Sequence, residues 1–306
     1  MPQAAGLAIL GGVVSAALFL ALLTGVPGMV VLAYFMQLPL MLVGLTLGVT
    51  GSVIAVAGAV VVSGVIAGVV AALIYVLIQA VPAVVVVRQA LLSRQGDGTI
   101  EWFPPGLLLA QLAVLAALGT SAVFLLMMSE PGGLKGAIER FLIAALADLG
   151  ALEPTAEAPP QLGIWADLFP GLMAASWLIM VAINAVLAQG LAVRLGRNRR
   201  PSPDFAALEL PGWLWPAIAG AALLALLSAL DDSGLGFLGR SLLIVLVVPY
   251  VFLGLAVIHS LSRRLSHPGL ALLAVYSGVV LLGWPVLGIL LLGFVEDWAQ
   301  LRRRLI

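Results

Sequence analysis

Residues 1–87 contain no Asp, Glu, Lys, Arg or His, and Arg88 is the first charged side chain. A water-soluble domain needs hydrated groups over its surface, so a stretch this long without them is stable only where the solvent is lipid. The remainder of the 306-residue chain keeps the same character, with 63% hydrophobic and 9% charged residues overall, the composition of a multipass membrane protein. The runs are apolar on every face for about 20 residues, whereas a barrel strand alternates apolar and polar positions over about ten. The expected fold is all-α: a polytopic transmembrane helical bundle of about eight to ten membrane segments.

Turn residues and charges divide the apolar mass into spans near 7–25, 28–48, 51–69, 70–92, 106–128, 168–193, 213–230, 238–262 and 269–295. Met1-Pro2-Gln3 lacks the basic region of a cleavable signal, so the first run reads as an uncleaved span. Lys and Arg gather on the cytoplasmic side of membrane proteins. One set of alternate loops holds Arg88, Arg94, Arg194, Arg197, Arg199, Arg200, Arg263 and Arg264, the other Lys135, Arg140 and Arg240. That asymmetry puts the N-terminus in the cytoplasm. Nine spans would leave Arg302, Arg303 and Arg304 outside. A bend at Trp284-Pro285 into two short segments, or a different early boundary, returns them to the cytoplasm, and a cytoplasmic tail is expected.

The organisation falls into a charge-poor, Gly/Ala-rich set of N-terminal helices over 1–93, one span with an interfacial helix and an acidic outer loop over 94–167, and C-terminal helices over 168–306. All belong to one integrated membrane domain. In the middle part, Ile138, Phe141, Leu142, Ala145 and Leu149 recur at helical spacing, with Glu139 and Asp148 toward water. Beyond them, Glu153, Pro154, Glu157, Pro159 and Pro160 mark an extended loop, read as a lid or a plain connector. Trp102, Trp165, Trp213, Trp215 and Trp298 stand beside span ends, where indole rings anchor at the headgroups.

Enzyme signatures are missing, and no catalytic residue is assigned. Gly132-Gly133-Leu134-Lys135-Gly136 has neither the spacing nor the hydroxyl of a P-loop, and the chain has no Gly-x-Ser-x-Gly elbow. His259 and His267 lack zinc-helix spacing, and with no cysteine there is no thiolate site. No metal, cofactor or nucleic acid is expected, and the lipid bilayer is the first partner.

Small residues recur four apart: Gly12 with Ala16, Ala17 with Ala21, Gly44 with Gly48, Ala55 with Ala59, and Gly64 with Gly68. Such pairs let helix backbones approach closely in lipid. They serve packing within the bundle, docking of another membrane subunit, or self-association. Pro39, Pro82, Pro249 and Pro285 interrupt spans, and transporters use such breaks near a substrate site. Among the few polar residues inside spans, Asn184 is the leading pocket candidate, because Trp177 and Met180 precede it on one helical stripe. An interhelical hydrogen bond is its competing use. Gln37 lies two residues before Pro39 with Tyr34 one turn earlier, and Tyr250 follows Pro249, so these three complete the candidate substrate-binding set. The Arg194 to Arg200 cluster sets topology and offers charge to anionic headgroups.

Three stretches then combine: Leu38-Pro39-Leu40 with Gly44 and Gly48; Leu238-Gly239-Arg240 leading to Gly254-Leu255-Ala256; and Leu287-Gly288 through Gly293, Glu296-Asp297 and Arg302. Together they resemble the YybS-like family of bacterial multipass membrane proteins, a domain of unknown function. That family is distantly similar to the substrate-binding S components of energy-coupling-factor transporters. The resemblance implies a helical bundle that binds a small molecule and docks on a coupling subunit. The alternative is a structural or scaffolding membrane protein of envelope assembly that acts through its Gly/Ala helix faces.

Overall fold

The computed structural model describes residues 2–96, 98–150, 159–227 and 234–305. The acidic loop of Glu153 and Glu157, and the Asp231-Asp232 pair, lie outside the described residues. The chain is almost wholly helical. Among the described residues six helical stretches are long and apolar enough to cross a membrane: Gln3–Leu22, Gly28–Leu47, Val49–Ala90, Pro105–Leu126, Gln161–Arg194 and Gly234–Ser262. Leu214–Leu226 and Pro268–Leu282 are shorter apolar helices. The chain forms two compact units, Met1–Leu108 with Ile179–Asp204, and Leu109–Leu178 with Phe205–Ile306.

In the first unit, α1 (Pro2–Leu22), α2 (Pro27–Ala33), α3 (Leu38–Leu47), α4 (Val49–Tyr75) and α5 (Val81–Ala90) are followed by a two-stranded hairpin, β1 (Ser93–Gly96) and β2 (Thr99–Trp102). The hairpin was not expected; its register sets Arg94 opposite Glu101, and the two side chains form an ion pair. The expected 28–48 span is interrupted between α2 and α3, where residues 34–37 form a turn. Pro39 lies in the first turn of α3, where a missing N–H leaves no intrahelical bond unmade.

The 42-residue stretch Val49–Ala90 is not one straight rod. Gly68 has φ 86° and ψ 171°, a region essentially reserved for glycine. A Cβ built on Gly64 would stand 3.5 Å from the Ala72 methyl. Residues eight apart on a continuous helix are about 12 Å apart along its axis, so the chain folds back at Gly68 into two arms. This is the boundary expected near residues 69 and 70. The returning arm passes through a π-helical turn, Val76–Ala80, before α5.

The arms pack through small residues. A Cβ on Gly12 would sit 2.0 Å from the Ala55 carbonyl oxygen, and one on Gly44 2.5 Å from a Val87 methyl. Ala16, Ala55 and Ala59 are fully buried. Backbone contact at these positions gives dispersion energy where no hydrophobic drive exists between helices.

The second unit contains α6 (Pro105–Leu126), α7 (Gly133–Asp148), the first half of α8 (Pro160–Arg194), α9 (Leu214–Leu227), α10 (Gly234–Ser262), α11 (Pro268–Leu282), α12 (Pro285–Ala299) and α13 (Leu301–Leu305). Helix α7 forms where an interfacial helix was expected, but its register differs. Leu134, Ile138 and Leu142 pack with Phe124 and Phe237, whereas Phe141 and Leu149 are exposed. Lys135 and Arg240 converge on Asp167, at 2.9 Å and 3.4 Å. The last expected span breaks at Gly283, with φ 72°, into α11 and α12. Of the four interrupting prolines, Pro249 alone lies within a continuous helix, since Pro285 begins α12 and Pro82 begins α5.

Helices α9, α10 and α12 meet at glycines. A Cβ on Gly239 would come within 2.3 Å of Ala225 N, one on Gly254 within 2.0 Å of Ile289 O, and one on Gly293 within 1.9 Å of Tyr250 O. Since Tyr250 meets Gly293 while Gly254 meets Ile289, α10 and α12 run antiparallel.

Candidate functional site

Tyr34 and Asn184 come together in the first unit, and Gln37 stands in the same turn between α2 and α3. Leu38 N bonds to Phe35 O within this turn. Asn184 Nδ2 donates to Tyr34 O at 2.8 Å and to Met180 O at 2.8 Å. Pro82 has no N–H to give the carbonyl four residues earlier, Ile78 O. Gln37 Nε2 donates to that oxygen at 3.2 Å. Ser15 Oγ donates to Met36 O and lies 2.6 Å from the Tyr75 hydroxyl, which is therefore the donor in that second bond. The buried amides of Gln37 and Asn184 thus donate to carbonyls of other segments, and for Asn184 this is the interhelical hydrogen bond weighed against a pocket.

The amide oxygens of Gln37, Gln79 and Asn184 are buried without a hydrogen-bond partner. Each is a spare acceptor on a side chain whose NH2 group anchors it or whose chain runs beside the π turn.

The basic cluster is structural at two positions. Arg199 Nε donates to Thr46 O at 3.0 Å, capping the end of α3, and its guanidinium covers Gly48, where φ is 97°. Arg200 Nη1 donates to Ala90 O at 2.9 Å, capping α5, and its guanidinium faces the Trp102 ring at 5.6 Å. Burial lowers the Arg200 pKa from the ordinary arginine value. Small-residue pairs Gly12/Ala16 and Gly44/Gly48 are occupied by these internal contacts. Gly64 and Gly68 form the turn between the two arms of α4.

Trp177 and Tyr250 belong to the second unit. Trp177 is half-buried on α8. Tyr250 is fully buried on α10 and forms part of a constellation that the sequence did not announce. Its ring stacks on Phe294 at 4.3 Å between centroids, and both rings meet Trp215, at 5.6 Å and 5.2 Å. Asp297 joins them. Its Oδ2 accepts from Trp215 Nε1 at 2.7 Å and from the Tyr250 hydroxyl at 3.4 Å. Phe294, Asp297 and Trp298 lie three and four residues apart, so one face of α12 presents all three. A pocket of about 510 Å3 opens here, lined by Trp215, Phe294, Val295 and Trp298.

The ends of this site are pinned. Gly293 and Gly254 bring α12 against α10, which stacks Phe294 on Tyr250. Beyond Asp297 the helix stops at Gln300, with φ 49°, and the chain turns. Glu296 holds that turn by accepting from Arg302 N at 3.1 Å and Arg302 Nε at 2.7 Å. The Arg302 guanidinium also donates to Ala206 O and, at 2.6 Å, to Leu208 O. Arg303 pairs with Glu209 at 2.8 Å. Among the described residues no three His, Asp or Glu side chains gather as a metal site. What the arrangement offers is an aromatic-walled pocket with a carboxylate bonded to one wall.

Fold and site together define a helical chain, with helices long and apolar enough to cross a membrane and a pocket on its second unit. No protein-family model matches it, and no curated protein or solved structure matches it either. Gly239, Gly254, Gly293, Glu296, Asp297 and Arg302 build and pin this pocket.

Proposed function

We propose that this chain is a multipass protein of the bacterial inner membrane that binds a small molecule and serves a transport process, without catalytic chemistry of its own. The observation that carries this reading is the pocket of Trp215, Phe294, Val295 and Trp298 with Asp297 bonded behind it. An open pocket walled by rings, with a single polar group at one side, is how small-molecule sites are built. The interrupted helices at residues 34–37, 76–80 and 283–284 supply further support, since transport proteins use discontinuous helices. So does the resemblance to the YybS-like family and, beyond it, to transporter S components.

In this reading the N-terminus is cytoplasmic and the two arms of α4 and α5 count as separate crossings. With α1, the α2–α3 segment, α6, α8, α9 and α10 they make about eight crossings, and the α11–α12 pair adds two short segments. The hold of Arg302 and Arg303 on residues 206–209, in the connection between α8 and α9, supports a tail on the same side as Arg194 to Arg200. Another membrane subunit or a second copy would meet the apolar surface near Gly68, where Val65, Ile66, Val69 and Val70 are exposed. Envelope scaffolding through Gly/Ala faces draws less support, because Gly12 and Gly44 already contact Ala55 and Val87.

The test is a thermal-shift screen of the purified protein across a metabolite panel. One chemical class should raise the melting temperature, and Trp215→Phe should remove the effect. A panel without any shift, for a protein that remains folded, overturns the reading.

A further inference from the structure

Resting on that reading, we infer that the pocket of Trp215, Phe294 and Trp298 takes an organic cation, of the quaternary or alkylammonium class. Three observations lead there. The walls are largely aromatic rings, and a cation within about 6 Å of a ring centroid, over its face, is attracted by the ring quadrupole, most strongly by tryptophan. Two of the three lining rings are indoles.

Secondly, Asp297 is a carboxylate without a cation. The neighbouring carboxylates Glu296 and Glu209 pair with Arg302 and Arg303, while Asp297 has only the neutral donors Trp215 and Tyr250 among the described residues. Removing a carboxylate partly from water without a counter-charge is costly, and a bound cation offsets that cost. Thirdly, the carboxylate bonds to the N–H edge of Trp215 at 2.7 Å. Negative charge at the N–H edge makes the ring face more electron-rich, so Asp297 strengthens the attraction of the very wall it holds. An anion would meet repulsion from Asp297 and from the ring faces. A neutral solute would gain contact alone.

A free metabolite and a lipid headgroup share this chemistry. The experiment uses the full chain in nanodiscs of phosphatidylglycerol, titrated with choline and, separately, with 3,3-dimethyl-1-butanol, its neutral isostere, read by tryptophan fluorescence and calorimetry. Choline should bind at least tenfold more tightly than the isostere. Asp297→Asn should weaken choline at least tenfold and leave the isostere unchanged. Trp215→Phe, which keeps a ring but loses the N–H bond, should weaken choline as well. Melting temperatures of both variants show whether they are folded. Adding phosphatidylcholine to the nanodiscs identifies the source: competition with choline marks a headgroup site, and no competition marks a site for free cations. Equal affinity for choline and the isostere, with loss of both in Trp215→Phe, overturns the cation and leaves a neutral-ligand pocket standing. Binding of neither overturns the inference and removes the pocket as a ligand site.

Discussion

Trp215 and Asp297 are joined across α9 and α12 by a hydrogen bond of 2.7 Å from the indole nitrogen to the carboxylate. The bond exists because α12 lies in backbone contact with α10 at Gly254 and Gly293, which brings Asp297 level with Trp215. Packing of small residues and chemistry of the pocket are therefore one arrangement.

Glycines with and without neighbours should separate cleanly. Gly254→Ala and Gly293→Ala place a methyl within 2.0 Å and 1.9 Å of carbonyl oxygens, and overpacking of this kind costs about 1–3 kcal/mol. Gly220→Ala and Gly278→Ala meet nothing within 4 Å and should leave stability unchanged or raise it by up to about 1 kcal/mol through helix propensity. Thermal unfolding in detergent distinguishes the pairs. Equal behaviour of all four would refute the backbone contacts.

Gly68 allows a second stability test. Its φ of 86° with ψ of 171° suits no residue with a Cβ, so Gly68→Ala should cost about 1–3 kcal/mol, although nothing lies within 4 Å to clash with it. An unchanged melting temperature would mean that the arms of α4 do not turn there.

The tail clamp predicts non-additivity. Arg302 is buried against Glu296 and two carbonyls, and removal of one partner of a buried pair costs about 3–5 kcal/mol. Arg302→Met and Glu296→Gln should each lower the melting temperature, with the double variant less damaged than the sum. Additive losses would show that the pair is not coupled.

Sidedness can be measured against no background, because the chain has no cysteine. Arg197→Cys and Arg304→Cys should react with an impermeant maleimide only in opened vesicles, and Asp148→Cys in intact cells. Opposite labelling of positions 197 and 304 would contradict a tail held on the α8–α9 connection.

Much of the fold was legible in the sequence because lipid imposes a simple rule: long apolar runs become helices. The break before Pro285 was legible through proline and the boundary near residues 69 and 70 through the length of the apolar run, whereas the spacing of Gly64 and Gly68 reads as a packing pair and hides the turn. The hairpin at residues 93–102 went unread, although Asp97-Gly98 is a hairpin signal. The register of α7 was missed because Leu134, at its first turn, precedes the run that set the expected stripe. The candidate site was legible only at Tyr250. Trp215 and Trp298 read as headgroup anchors, since proximity to a span end cannot reveal that residues 215, 250, 294 and 298 converge. The spacing of Phe294, Asp297 and Trp298 on one helical face was the available signal. Gln37 and Asn184 lie buried, but which carbonyls they reach depends on the turn at residues 34–37 and the π turn at 76–80.

The central claim is that the pocket beside Asp297 holds a small molecule. Native mass spectrometry of the protein, extracted from its own membranes in mild detergent, tests it most directly. A defined small-molecule adduct should accompany the native chain and be lost from a folded Trp215→Phe variant. Identical spectra for the two proteins, with or without an adduct, would contradict it.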